Sequence, residues 1–331
     1  MNGQTDHKFA LDLCLPANST EFIVNISEKI AATEPSLTIE FLNECVLGYG
    51  KSEQGLRYLC LLYMIPWLPN LSLYCGRSPQ DTVKTKELLR LLIDLTLAGE
   101  MSKLIQAKIW KSIAKVDDIL NLVIDTFIQV SNEHGVGSMQ AEGLADTLVT
   151  LSNVTVRSKL TSYLRKIIHR TSFKPTRSLV DHPSWPEIAI LVRFILMLSF
   201  NNRGPVRRTI PELFHIVSLL AGVGCTVVRA SVHGVVVNMI QSLCTSMPLS
   251  AANVKKLQLL LIELSESKSR LLFGLNRSNA NAFTITPDTL NDTIEPISLL
   301  SVESIISKLS EVINYGAPTT GKKTLHVHYW F

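Results

Sequence analysis

The stretch Val156-Arg157-Ser158-Lys159-Leu160-Thr161-Ser162-Tyr163-Leu164-Arg165-Lys166-Ile167-Ile168 decides the fold. Its apolar residues Val156, Leu160, Tyr163, Leu164, Ile167 and Ile168 fall at offsets 0, 4, 7, 8, 11 and 12. That spacing puts them on one face of an α-helix and leaves the cations on the other. The same period recurs in both directions. Upstream, Ser19 and Thr20 precede Phe22, Ile23, Ile26 and Ile30, with polar residues between, which reads as a capped amphipathic helix ending near Pro35. Ser36 is expected to open a second helix through Ile39, Phe41, Leu42, Val46 and Leu47. A third runs over 53–64, where Pro66 kinks or breaks it ahead of a short apolar piece, 67–74. Helices follow over 83–97, 102–114, 116–130 and 138–151. Asp118, Asn121, Asp125 and Gln129 mark one wet face on an otherwise buried helix. Downstream, 187–200, 210–220, 227–243, 254–264 and 299–313 continue the pattern. The β-branched run Val227 to Val237 could be taken for a strand, but it has helical neighbours and no partner strands.

Short connections between amphipathic helices imply pairs, and stacked pairs bury a continuous core. The fold expected is therefore all-α, an irregular HEAT/armadillo-like α-α superhelix, with a compact helical domain as the alternative. No exact repeat period is present. The expected organisation is an N-terminal extension over 1–18 and a first half of the array over 19–171. A Pro-containing connecting loop over 172–186 leads to a second half over 187–275. A flexible insertion rich in Asn, Thr and Ser over 276–298, a helix over 299–315 and a divergent tail over 316–331 complete the chain.

Composition excludes several classes. A chain of 331 residues with 46% hydrophobic and 18% charged residues has ample apolar material for a core. A net charge of +4 is too weak to indicate nucleic acid by itself. Cys14, Cys45, Cys60, Cys75, Cys225 and Cys244 form no C-x-x-C pair and several sit in apolar runs, so a reduced intracellular protein is expected, with disulfides as the alternative. The first nine residues lack the apolar core of a signal peptide. The most apolar run, 188–200, is shorter than the ~20 residues a bilayer requires.

Chemical motifs are fragmentary. Gly316 to Lys323 approximates a phosphate-binding loop, but Lys323 stands where that motif needs Ser or Thr to hold magnesium. Few residues remain after Thr324 to form the helix that would hold phosphate. His326 and His328 pair as H-x-H without a third ligand nearby. No G-x-S-x-G elbow, H-E-x-x-H or Cys-His signature occurs. Trp67, Trp110 and Trp185 read as packing residues, and His215 and His233 as histidines satisfied within apolar runs. No catalytic residue, metal ligand or cofactor is assigned. The candidate partner-binding surface is basic: Arg157, Lys159, Arg165, Lys166 and Arg170 on one helix, and Arg203, Arg207 and Arg208 at a helix-helix turn. A solvated surface is the plain reading of these residues; an acidic protein or anionic lipid is the functional one. Nucleic acid is disfavoured, because no aromatic platform accompanies them.

Several stretches resemble the neurofibromin family of Ras GTPase activators. They are Leu13-Cys14-Leu15-Pro16-Ala17-Asn18, residues 34–42 (EPSLTIEFL), and Gln106-Ala107-Lys108-Ile109-Trp110. The strongest runs from Ile188-Ala189-Ile190-Leu191 through Met197-Leu198-Ser199-Phe200-Asn201-Asn202. Leu213-Phe214-His215, Arg229-Ala230-Ser231-Val232-His233-Gly234, Ser242-Leu243-Cys244-Thr245 and Leu271-Leu272-Phe273-Gly274 extend it in order. The resemblance implies the helical HEAT/armadillo-like region that follows the GTPase-activating and Sec14/PH modules and contributes to dimerisation. It therefore implies a cytoplasmic, non-catalytic scaffold for a negative regulator of Ras signalling, with protein partners and self-association through the array. It carries over no arginine finger: Phe41-Leu42 is followed by Asn43. Such a finger supplies ~10³–10⁵ in rate, so this chain alone is not expected to activate Ras. The turn at Arg203 to Arg208 departs from the family pattern, and from Gly316 onward the likeness stops, which suggests a truncated isoform, a partial gene product or a fragment. The alternative function is a free-standing armadillo-type adaptor for acidic proteins or peripheral anionic membrane.

Overall fold

A computed structural model describes residues 19–76, 78–99, 101–200, 210–266, 270, 272–275 and 302–315. Among the described residues every regular element is a helix, and the fold is all-α. The N-terminal extension, the insertion over 276–298, the phosphate-loop-like motif, the H-x-H pair and the tail lie outside them. The chain divides into two compact units, Met1–Val156 and Arg157–Phe331. The division falls near the start of the helix Val154–Thr171, upstream of the loop over 172–186.

The first unit holds α1 (Ser19–Thr33), α2 (Thr38–Lys51), α3 (Gln54–Met64), a 3₁₀ segment (Ile65–Tyr74) and α4 (Pro79–Leu97). It continues with α5, built of Ser102–Ile105, a π-turn Gln106–Trp110 and Lys111–Ile113, then α6 (Leu120–His134) and α7 (Met139–Thr150). Local chemistry sets the helix starts. Ser78 Oγ accepts from Asp81 N at 3.0 Å, with Pro79 in the first turn, and Ser138 Oγ accepts from Ala141 N at 3.1 Å. Each satisfies an amide that the helix itself leaves open. The second helix begins at Thr38, not Ser36, because Pro35–Leu37 form a 3₁₀ turn and Thr38 Oγ1 donates to Pro35 O at 2.8 Å.

Leu42, Leu61, Met64, Leu68, Leu71, Leu88, Leu89, Leu92, Ile105, Trp110 and Phe127 are fully buried in this unit. Each such leucine contributes ~2 kcal/mol of hydrophobic burial. α2 packs on α3 and α4, α1 on α3 and the 3₁₀ segment, and α6 on α4 and α7. The buried Thr85, Thr96, Thr126 and Thr147 each donate to the carbonyl four residues back, so their hydroxyls enter the core already satisfied. The wet face of α6 is as read: Asp118 ahead of it and Asn121, Asp125 and Gln129 on it are exposed, between Val123, Ile124, Phe127 and Ile128, which are buried. The π-turn in α5 was not visible in the sequence. It carries Gln106 inward, where Nε2 donates to Asp146 Oδ2 and to Thr147 Oγ1, both at 3.1 Å.

The second unit holds α8 (Val154–Thr171), a 3₁₀ turn (Leu179–Asp181), α9 (Trp185–Ser199), α10 (Ile210–Leu220), α11 (Thr226–Ser246), α12 (Ala251–Ser265) and α13 (Val302–Tyr315). The β-branched run over 227–237 is helical. α11 is the hub: it packs on α9, α10 and α12, while α13 packs on α10 and α12. By length and composition α11 is apolar enough to cross a bilayer, yet Val228, Val232, Val235, Val236, Met239, Ile240 and Leu243 are buried in the core of this unit. Gly224 precedes α11 at φ +85°, and a Cβ there would lie 2.3 Å from Trp185 Cζ2. Only glycine fits both the left-handed backbone and the indole.

Candidate partner-binding surface

α8 displays the cations expected of it, but in three different settings. Val156, Leu160, Leu164, Ile167 and Ile168 are buried, as their spacing requires. Tyr163 is half-buried, and its hydroxyl donates to Glu187 Oε1 at 2.7 Å. Arg157 and Lys159 are half-buried, and burial holds the Arg157 guanidinium below its ordinary range. Arg165 is exposed, but its Nη1 lies 3.4 Å from Glu212 Oε1 on α10. Lys166 and Arg170 are exposed, and among the described residues neither has an ion pair. Arg203, Arg207 and Arg208 lie outside the described residues. The outer surface of α8 is thus its C-terminal half, where cations also face the negative end of the helix dipole.

A second surface was missed. On α1, Phe22, Ile26 and Ile30 are 52%, 41% and 42% exposed. The helix is amphipathic as its spacing reads, but the residues it buries are Ser27 and Ala31. The stripe fails as core because Ser27 is turned inward to receive Trp67, which rotates the apolar residues outward. The signal available beforehand was the small pair Ser27 and Ala31 at helical spacing, which allows the 3₁₀ segment to approach closely. Three large apolar side chains thus lie exposed along one face of α1.

The histidines divide. His233 Nε2 lies 3.1 Å from Leu264 O and its ring meets Phe273 edge-on at 5.0 Å, so it is satisfied inside the fold. His215, expected in an apolar run, is exposed on α10. Trp67 and Trp110 are buried, and Trp185 is half-buried. Among the described residues no group of three or more His, Cys, Asp or Glu could hold a metal ion. A groove of ≈ 330 Å³ runs between α12 and α13 along Leu257, Leu259, Leu260 and Val312. Its polar lining is taken up by two ion pairs, Lys256–Glu311 at 3.4 Å and Lys308–Glu263 at 2.6 Å.

These features define an all-α protein that presents helical surfaces. Two relatives in Saccharomyces cerevisiae are similar to it along most of its length. It is 23% identical to Inhibitory regulator protein IRA2 over 289 residues, which is 83% of this chain and 9% of that protein. It is 21% identical to Inhibitory regulator protein IRA1 over 254 residues, 73% of this chain and 8% of that protein. The chain thus spans less than a tenth of the length of these curated relatives. No family model matches it.

Proposed function

We propose that this chain is a cytoplasmic, non-catalytic helical scaffold segment of a neurofibromin-like negative regulator of Ras signalling, in the manner of a HEAT/armadillo array. The observation that carries the scaffold role is the open apolar stripe of Phe22, Ile26 and Ile30 on a helix whose inner face is already packed. Stacked-helix proteins offer such faces to further helices, in the same chain or another. Self-association through this stripe is the first partner proposed. Similarity to two proteins named as inhibitory regulators, together with the ordered resemblance of the stretches from Leu13 to Gly274, supports placing the scaffold in a regulator of this kind.

The non-catalytic part has its own test. Single-turnover hydrolysis by GTP-loaded Ras is followed with and without the purified chain. The rate is expected to stay unchanged, and an acceleration of the ~10³-fold order an arginine finger supplies would overturn the reading.

A further inference from the structure

We propose that the C-terminal end of α8 and the turn after it dock on an anionic membrane surface, with Phe173 entering the interface and Lys166, Arg170, Lys174 and Arg177 holding the headgroups. This goes beyond the scaffold reading and stands whether or not the chain self-associates.

Charge is the first observation. From Arg157 to Val180 the chain has no Asp or Glu, while Arg157, Lys159, Arg165, Lys166, Arg170, Lys174 and Arg177 all lie within it. The fold then sorts these cations. Arg157 and Lys159 are half-buried and Arg165 faces Glu212, which leaves Lys166, Arg170, Lys174 and Arg177 exposed and, among the described residues, without an ion pair.

Geometry is the second. α8 ends at Thr171, but Ser172 N donates to His169 O at 3.2 Å, Phe173 N to Arg170 O at 3.2 Å and Lys174 N to Thr171 O at 3.3 Å. The chain therefore winds one turn further. Phe173 comes to lie one turn beyond His169, with the rings edge-on at 5.3 Å. Positions 166, 169 and 173 lie on the side away from Leu160, Leu164 and Ile167, and Arg170 flanks them. Phe173 is 73% exposed, among the most open large apolar side chains described.

An exposed aromatic flanked along the chain by exposed, unpaired cations is the chemistry of an interfacial anchor. The ring gains from leaving water, and each cation near an anionic leaflet strengthens binding roughly fivefold. An acidic polypeptide would use the cations but has no need of Phe173.

The test is flotation of the intact chain with phosphatidylcholine vesicles, with and without phosphatidylserine. Binding is expected only with phosphatidylserine, and is expected to weaken as salt rises. Lys166→Glu with Arg170→Glu should reduce binding by at least ~10-fold, and Phe173→Ser by several-fold at unchanged charge. Lys111→Glu with Lys115→Glu, the same charge change on an exposed part of the first unit, should leave most of the binding in place. Circular dichroism checks that each variant is folded, and the salt series on the unaltered chain needs no variant. Absence of binding to phosphatidylserine vesicles overturns the proposal. So does equal loss in the control variant, or binding that ignores Phe173 and is competed away by polyglutamate, which would assign the cations to an acidic polypeptide.

Discussion

Trp67 Nε1 donates to Ser27 Oγ at 2.9 Å, and Ser27 Oγ in turn donates to the carbonyl of Tyr63 at 2.8 Å. Trp110 repeats the device, with Nε1 donating to Thr96 Oγ1 at 2.9 Å and Thr96 Oγ1 donating to Leu92 O at 2.7 Å. Each indole in the first unit is thus fixed by a hydroxyl that is itself held by a helix carbonyl. Phe41 stacks on Trp67 at 4.3 Å and Phe127 meets Trp110 edge-on at 4.9 Å, which completes the two anchors.

Ser27→Ala would strand the buried Trp67 N–H. Urea denaturation of this variant should show a loss of ~1–3 kcal/mol. Combining it with Trp67→Phe should cost less than the two single changes added together, because the shared hydrogen bond can be lost only once. Strict additivity would mean that the bond contributes nothing.

The glycines of the second unit separate two kinds of constraint. Gly224→Ala meets both a φ of +85° and the Trp185 ring, so a loss of ~2–4 kcal/mol is expected in thermal melts. At Gly234, inside α11, the obstacle at 2.7 Å is Leu196 Cδ1, the far end of a side chain that can turn. The ~1 kcal/mol that alanine gains in a helix offsets that adjustment, so Gly234→Ala should change stability by less than about 1 kcal/mol. Reversal of this order would contradict the packing around Trp185.

Two carboxylates of the first unit are held below their ordinary range. Glu133 is lowered chiefly by its hydrogen bonds from Arg90, and Asp146 chiefly by Lys103 Nζ at 2.6 Å. Both carboxyls bind protons more weakly folded than unfolded. Their stabilisation is therefore present at neutral pH and lost as pH falls through the carboxylate range. Both sites are open to solvent, so each contributes less than about 1 kcal/mol. Arg90→Ala and Lys103→Ala should each flatten the fall in stability between neutral and acid pH, measured by denaturation at a series of pH values.

Thiol reactivity should follow burial. Burial, with Cys60 and Glu44 nearby, pushes the Cys45 thiol up to about 12, while Cys225 is exposed ahead of α11. With an aromatic disulfide reagent at mildly alkaline pH, peptide mapping should find Cys225 modified on the native protein and Cys45 modified only after unfolding. Early labelling of Cys45 would contradict the packing of α2 against α3.

The fold class was legible because most helices carry one apolar stripe at the helical period, as in Val156 to Ile168 or Val123 to Ile128 around the wet face of α6. What failed was orientation where a small polar residue replaced a large apolar one. Ser27 took the inner position on α1 because Trp67 needs an acceptor, and that partner lies far along the chain. The π-turn at Gln106 to Trp110 was hidden for a similar reason, since Gln106 finds its partners on α7. The cations of α8 could be read directly, but their division could not. Whether Arg165 is neutralised depends on Glu212, a residue on another helix.

The scaffold account rests on the open stripe of α1, and light scattering coupled to size exclusion tests it most directly. The intact chain should elute with a mass above that of a monomer. Phe22→Asp with Ile26→Asp should bring it to the monomer mass while circular dichroism stays helical. A chain that is monomeric at every concentration, and that binds no neurofibromin segment, would contradict the account.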